Sequence, residues 1–342
     1  MLILGIETSC DETAAALVQN GHQVRSNIVA SQIEVHRKYG GTVPELASRH
    51  HLEAILPVLQ EALEQAGATF TDINGVAVTN GPGLVGSLLV GVCAAKALAL
   101  AHDLPLVGVN HLEAHIYAGL LAKPVPLPAL ILIVSGGHAH LVQMRGHGLY
   151  RVIGHTRDDA PGEAFDKAAR LLNLGYPGGP IIDQLARQGN AQAVKFPRAH
   201  LPGSWDFSFS GLKTALYRQV ETAAQRGEQL PVADVAASFQ EAVVEVLVEK
   251  SIRAAEQYEA ETVLLTGGVA ANSRLRSLME ERTGAAGLSL VVPPPELCTD
   301  NAAMVACAGY YRMLDKRISD LSLDCYANLP LEERGAADLP RV

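Results

Sequence analysis

The chain opens on an apolar run, Leu2 to Ile6, then the polar string ETSCDET. A second apolar run, Ala14 to Val18, and an Asn20-Gly21 pair precede His22 to Ile28. Short apolar runs separated by turn residues predict strand, turn, strand, tight turn, strand. The same opening returns later, with Leu130 to Val134 apolar, a Ser135-Gly136-Gly137-His138 turn, and a strand resuming over Leu141 to Met144. Each opening is followed by a strand that ends in a glycine turn and enters a helix. In the first half these are Gly75 to Val78, Asn80-Gly81-Pro82-Gly83 and Leu84 to Leu100. In the second they are Thr262 to Leu265, Thr266-Gly267-Gly268 and a run from Ala270 towards Arg282. A hairpin plus strand-glycine-helix unit written twice predicts two related α/β domains facing each other across a cleft. Glycine turns admit a phosphate to backbone N–H groups, so a nucleotide is expected in that cleft.

The expected division is a first domain over 1–110, completed by a helix in 300–325, then a helix and crossover over 111–128. A second domain over 129–299 carries an insertion at 151–216, and the tail 328–342 is expected to be loose. Pro124, Pro126 and Pro128 stiffen the crossover, where the hinge is expected. Residues Asp234 to Glu256 have few breakers and apolar spacing, as in a core-facing helix. The run Leu84 to Leu100 is interrupted by Gly86, Ser87, Gly91 and Lys96, which favours a buried, closely packed helix over a bilayer span.

Hydrophobic residues at 48% and charged ones at 18% of 342 residues supply material for two ordinary cores. Five cysteines without a C-x-x-C pair read as reduced thiols, and the amino terminus has no basic leader, so a cytoplasmic protein with no membrane partner is expected. The net charge of −9 disfavours an extended phosphate-backbone footprint, so any RNA contact must be local or assisted. Arg37 with Lys38, Arg49 with His50 and His51, and Arg274 with Arg276 are the basic spots, as RNA contacts or as solvated faces.

The string NHLEAH sets His111 and His115 on one helix face, a spacing suited to two imidazoles on one metal. In TDNAAM, Asp300 stands at a helix start and can cap it or complete a two-histidine, one-carboxylate set, which suits non-haem iron and also zinc. Cys298 is near enough to be a fourth ligand, although a small buried hydrophobe is its ordinary role. Glu113 follows His111 by two residues and points away from the histidine face, so the metalloprotease general base is missing.

GIETSCDET, GGTVPELASRHH, NHLEAH, VSGGH, GEAFDK, YPGGP, FSFSGLKT, TGGVAAN and CTDNAAM occur in this order between Met1 and Met313. Together they resemble the universal tRNA adenosine threonylcarbamoyltransferase family. The resemblance implies an actin-like, sugar-kinase-like pair of ribonuclease H-like α/β domains with a nucleotide cleft. It implies transfer of a threonylcarbamoyl group from threonylcarbamoyl-AMP to the exocyclic amine of the adenosine beside the anticodon, in tRNAs reading codons that begin with A, with release of AMP. His111, His115 and Asp300 match the metal ligands, and the implied cofactor is one divalent metal per subunit, iron before zinc. Val134, Ser135, Gly136, Gly137, His138, Asp166, Gly179, Asp183 and Asn272 match the adenylate contacts. A related actin-fold protein and a small ATPase are the implied helpers. One departure is His140, where the family usually has glutamine.

Gly136 and Gly137 can cradle a phosphate, and Asp166 and Asp183 can accept from ribose hydroxyls. Glu7, Asp11 and Glu12 in the first turn are candidates for taking the amine proton, or are capping groups of that turn. Other activities that such a cleft allows are ATP hydrolysis, small-molecule phosphorylation, or nucleotide binding without catalysis.

Overall fold

The structure, a computed structural model, describes residues 1–199 and 201–331; the rest of the tail, 332–342, lies outside the described residues. The chain divides into two units. The first comprises 1–124, 147–149 and 293 onward, and the second 125–146 and 150–292.

The first unit holds β1 (Leu2–Glu7), β2 (Glu12–Gln19), β3 (Gln23–Ser31), α1 (Ile33–Arg37), α2 (Pro44–Ala66), β4 (Gly75–Gly81), α3 (Val85–His102), β5 (Leu106–Asn110) and α4 (His111–Ala122). The second holds β6 (Ala129–Val134), β7 (Ala139–Gly146), most of β8 (Leu149–His155), α5 (Pro161–Leu171), α6 (Gly178–Ala186), α7 (Ser210–Arg226), α8 (Val232–Gln257), β9 (Thr262–Thr266), α9 (Ser273–Ala285) and β10 (Ser289–Val291). The chain then returns to the first unit with α10 (Pro295–Cys298) and α11 (Ala302–Leu314).

The repeat in the sequence is a repeat in topology. The first sheet runs β3-β2-β1-β4-β5 and the second β8-β7-β6-β9-β10, each with its opening hairpin antiparallel and its later strands parallel to the first. In a parallel sheet the carboxyl ends of the strands lie together. The parallel pairing of β1, β4 and β5 therefore gathers Glu7, Thr79 and Asn110 at one edge.

Of the expected helix at 300–325, Ala302–Leu314 is helical; Lys316, with φ +58°, turns the chain out of it. It packs on β1 at backbone distance, because a Cβ on Gly5 would come within 2.3 Å of the Ala302 carbonyl oxygen. Beyond it the chain straps the ends of β4 and β5. Tyr326 N donates to the Asn80 carbonyl, and Asn110 Nδ2 donates to the carbonyls of Leu329 and Pro330. The described part of the expected loose tail is thus tied down as far as Leu331, which is buried.

Helix α3 differs from its expected burial. Leu88, Val92, Ala95 and Ala99 are buried and Gly91 lies against Thr8, but Val85, Leu89 and Leu100 are exposed. It is apolar all round, so by length and composition alone it would cross a membrane, yet it has one packed and one open face.

Candidate functional site

Helix α4 starts where Asn110 Oδ1 accepts from the N–H groups of Leu112 and Glu113, 2.8 and 3.4 Å away. That cap fixes His111 as the first helical residue and places His115 one turn on, with the two rings edge to face at 4.7 Å between centroids. At α11 the cap falls to Asn301, whose Oδ1 accepts from Met304 N at 3.1 Å. Asp300, one residue earlier, turns its Oδ1 to His111 Nε2 at 3.5 Å and to His115 Nε2 at 3.2 Å. The three ligand atoms lie within 4.8 Å of one another. Two imidazole nitrogens and one carboxylate oxygen on one centre are the donor set of an iron or zinc site with open positions, so the residues fit such a metal. Cys298 is not of this group, because its buried thiol faces the Pro293 carbonyl.

Behind His111 stands Glu7, which is fully buried. Its Oε1 accepts from Ser9 N at 2.6 Å, while Oε2 accepts from Thr79 Oγ1 at 2.5 Å and lies 3.3 Å from His111 Nδ1. Burial alone would raise the Glu7 carboxyl, but His111 and then the Ser9 side chain hold it below the usual carboxylate range. Burial likewise opposes charge on His111, but Asp300 and Glu7 outweigh it and raise that imidazole to about 9. With both oxygens engaged, Glu7 holds the His111 ring in the way carboxylates behind metal-binding histidines do, and is badly placed to be a base.

Glu12 differs. Burial, then the charges of Asp300 and Asp11, push its carboxyl well above the usual range, while Ser31 Oγ donates to it at 3.2 Å. Glu12 thus differs from Glu7, whose carboxyl is held down, in having a raised proton affinity. Glu113 is buried on the far side of α4, where Arg312 Nε donates to its Oε2 at 2.6 Å and Arg312 also reaches the Gly108 carbonyl.

In the second unit Ser135 N donates to the His138 carbonyl, closing the β6–β7 turn. The N-terminus of α5 packs beneath it, with Gly162 and Glu163 donating to the carbonyls of Ser135 and Gly136. Gly136 and Gly137 are exposed, and a Cβ on either would meet nothing within 4 Å. Val134 ends β6, its backbone covered by Gly267, whose φ of +93° and 2.3 Å Cβ distance to the Val134 oxygen admit only glycine. Asp166 caps α6 by accepting from Gly178 N at 2.7 Å, beside Gly179, and burial raises its carboxyl above the ordinary value. Asp183 accepts from Ser273 Oγ at 2.7 Å. Asn272 caps α9 through Leu275 N and donates to Gln240 Oε1 at 2.7 Å.

The first glycine turn does not present an open phosphate cradle. A Cβ on Gly83 would strike Ser9, one on Gly81 would strike Tyr326, and Gly83 N donates to the Ala327 carbonyl. The chain's own strap fills that turn and Gly267 lies against Val134, so neither strand-end turn is open in the way expected; the open glycines are Gly136 and Gly137 of the β6–β7 turn. The basic spots are also accounted for internally in part. Arg274 grips Glu241 through two 2.7 Å bonds, Arg276 donates to the Ala270 carbonyl, and His51 is buried against Thr13. Sequence reasoning missed Thr79, Ser9, Thr13 and Gln32, which carry no charge and meet their partners only in the folded sheet.

Comparison with known proteins gives a consistent result. The family profile described as tRNA N6-adenosine threonylcarbamoyltransferase matches residues 23–307. Proteins so named from Moorella thermoacetica and Geobacillus thermodenitrificans are 59% and 57% identical over 331 residues. These alignments cover 96% of this chain, and 97% and 96% of the relatives. Among solved structures, HypF of T. kodakarensis is similar with a TM-score of 0.62 and 16% identity, over 92% of this chain and 48% of that one. Component A of the Acidaminococcus fermentans (R)-2-hydroxyglutaryl-CoA dehydratase is similar with a TM-score of 0.53 and 16% identity, over 92% of this chain and 99% of that one. These likenesses establish the actin-like fold expected from the sequence.

Proposed function

The chain belongs to the tRNA N6-adenosine threonylcarbamoyltransferase family, and from that premise we propose how its residues carry the reaction. The enzyme transfers a threonylcarbamoyl group to the exocyclic amine of the adenosine beside the anticodon in tRNAs reading codons that begin with A. The donor is threonylcarbamoyl-AMP and AMP departs. The exocyclic amine is a weak nucleophile, because its lone pair is delocalised into the purine, so the carbonyl under attack needs polarising and the amine proton needs an acceptor.

His111 Nε2, His115 Nε2 and Asp300 would hold one divalent metal, iron before zinc, and such a metal would supply Lewis-acid chemistry at that carbonyl. Glu7 and Ser9 hold His111 from behind, so its Nε2 stays directed to the ligand position. Glu12 takes the amine proton, a role supported by its place in the turn whose Ser9 hydroxyl lies 3.2 Å from His111 Nδ1 and by a carboxyl raised chiefly by burial. In the second unit the open turn at Gly136 and Gly137 takes the adenylate phosphate; Val134, Ser135 and His138 frame it. Asp166, Gly179, Asp183 and Asn272 take the nucleoside.

A protein partner is supported by exposed Leu52 and Leu56 on α2 and Val85, Leu89 and Leu100 on α3; its related fold rests on the family resemblance. A small ATPase as second helper rests on the family resemblance. Assistance suits a chain of net charge −9 that must handle tRNA in the cytoplasm.

The observation that carries the chemical reading is the convergence of both Nε2 atoms on one Asp300 oxygen. The test incubates the protein with tRNA, threonylcarbamoyl-AMP and the candidate helpers, then measures nucleosides by mass spectrometry. A threonylcarbamoyladenosine mass that is lost in His115→Ala supports the reading. Modification at wild-type yield by His115→Ala and Asp300→Ala would refute the metal's part in it. Rapid tRNA-independent ATP turnover in its place would favour the kinase-like alternative.

A further inference from the structure

The GGTVPELASRHH segment is among the most distinctive stretches of the sequence, and neither the metal triad nor the adenylate residues account for it. In the fold it supplies a fully buried polar chain behind the β1–β2 turn. His51, on α2, has its Nε2 3.0 Å from the Cys10 carbonyl oxygen and its Nδ1 2.7 Å from Thr13 Oγ1. Gln32 N donates to the Asp11 carbonyl at 2.9 Å, and Gln32 Nε2 donates to the Ala47 carbonyl at 3.4 Å. Gln32 Oε1 lies 3.2 Å from His36 Nε2, and Val43 N donates to His36 Nδ1 at 3.3 Å. His51, Thr13 and His36 have no exposed surface, and Gln32 is 5% exposed.

The polarity of this chain is fixed by its backbone ends. A carbonyl only accepts, so His51 Nε2 carries the proton toward Cys10, and Nδ1 accepts from the Thr13 hydroxyl. Val43 N–H only donates, so His36 Nδ1 accepts and Nε2–H donates to Gln32 Oε1, which turns the Gln32 amide N–H to Ala47. Both histidines are thereby set with Nε2–H as donor and Nδ1 as acceptor. Burial, opposed by the bond to Cys10, lowers the His51 imidazole below its ordinary value and so keeps it in that form.

The carbonyls of Cys10 and Asp11 are the two that flank the Asp11 side chain, and this network holds both. We infer that His51 is a positioning residue of the transfer site: through Cys10 it fixes the peptide that carries Asp11 and Glu12 next to the metal-binding carboxylate. The geometric tie of that turn to the site is Ser9, whose hydroxyl lies 3.2 Å from His111 Nδ1, and the inference rests on the assignment of the turn to the reaction. Thr13 extends the device, because its hydroxyl selects the ring nitrogen that faces Cys10. Gln32 performs the same service one residue further along.

The test measures steady-state transfer from threonylcarbamoyl-AMP to tRNA, with the helpers that support the wild-type enzyme, for four variants. His51→Leu removes the donor and should lower kcat about 10–100-fold, the range for a misplaced reacting group, with KM for tRNA and metal content unchanged. His51→Gln keeps an N–H within reach of Cys10 and should return kcat to within about fivefold of wild type, a rescue that packing alone would not produce. Thr13→Val keeps the shape, loses the hydroxyl and should cost about 3–10-fold, which tests the device if His51→Leu fails to fold. Glu12→Gln reports on the site itself. If Glu12→Gln is impaired while His51→Leu or Thr13→Val transfers at the wild-type rate, the positioning role is overturned and the site stands. If Glu12→Gln is itself unimpaired, the assignment of the turn fails and takes the inference with it.

Discussion

Replacing Glu7 with glutamine tests the ligand site without touching a ligand. The glutamate accepts at every contact: from Ser9 N through Oε1, and from Thr79 Oγ1 and the His111 Nδ1 proton through Oε2. A proton on Nδ1 leaves Nε2 as the lone-pair atom, which a metal requires. Glutamine can keep the carbonyl toward Ser9 only by placing its NH2 where Oε2 was, facing Nδ1. That donor favours the opposite tautomer, with the proton on Nε2, and binding must then undo it. Loss of such an outer contact costs about 10–100-fold in metal affinity, or about 1.4–2.7 kcal/mol. The buried carboxylate also ceases to balance charge at His111, so the actual value should lie in the upper half of that range. Competition titration of Co(II) against a chromophoric chelator, followed through the ligand-field absorption of the bound ion, measures the affinity directly. Wild-type affinity in a folded Glu7→Gln protein would refute the orienting role and return Glu7 to the candidate bases.

Three further outcomes are expected. Glu113→Gln should keep full metal content by elemental analysis, because its side chain faces Arg312, yet should lower stability in urea titration by about 1–3 kcal/mol, the cost of leaving a buried charge poorly paired. His140, burdened by burial and then by His155, titrates at about 4 in the fold and at 6.5 in the unfolded chain. As pH falls below 6.5 the unfolded state takes the proton first, so stability is lost progressively down to about pH 4, by about 2–3 kcal/mol. His140→Gln should flatten that part of the pH profile, and an unchanged profile would exclude His140 as its source. Gly137→Val should fold normally, since a Cβ there meets nothing within 4 Å, but should weaken AMP binding in calorimetry by about tenfold or more; unchanged affinity would remove the turn from the nucleotide site.

Much of this was legible in the sequence because the signals are local. The hairpins announce themselves by apolar runs around Asn20-Gly21 and Ser135 to His138, and His111 and His115 by their spacing of four. Asp300 could be joined to them only by the type of chemistry, since no local rule distinguishes it from a cap, and Asn301 in fact takes that task. Glu7 was ambiguous for a different reason: its partners Thr79 and His111 arrive through the parallel pairing of β1, β4 and β5. The glycine turns at Gly81 and Gly267 look alike in sequence. What the rest of the chain lays against each is not local: at Gly81 it is Tyr326 and at Gly267 it is Val134. Helix α3 misled through uniformity, because a helix apolar on every side carries no period from which to read its buried face.

The placement of α11 has a consequence for how the protein is made. The half of the chain synthesised first cannot finish first: the sheet surface at Gly5 and the proposed third ligand, Asp300, wait for residues beyond 293, whereas 150–292 forms one uninterrupted stretch of the other unit. At roughly 5–20 residues per second, the interval between the emergence of α4 and that of α11 is about 10–40 s. Throughout that time the nascent chain displays an apolar strand layer and two histidines competent to capture metal ions without their carboxylate. Any ribosomal product truncated before Asp300 would keep both liabilities and gain none of the activity.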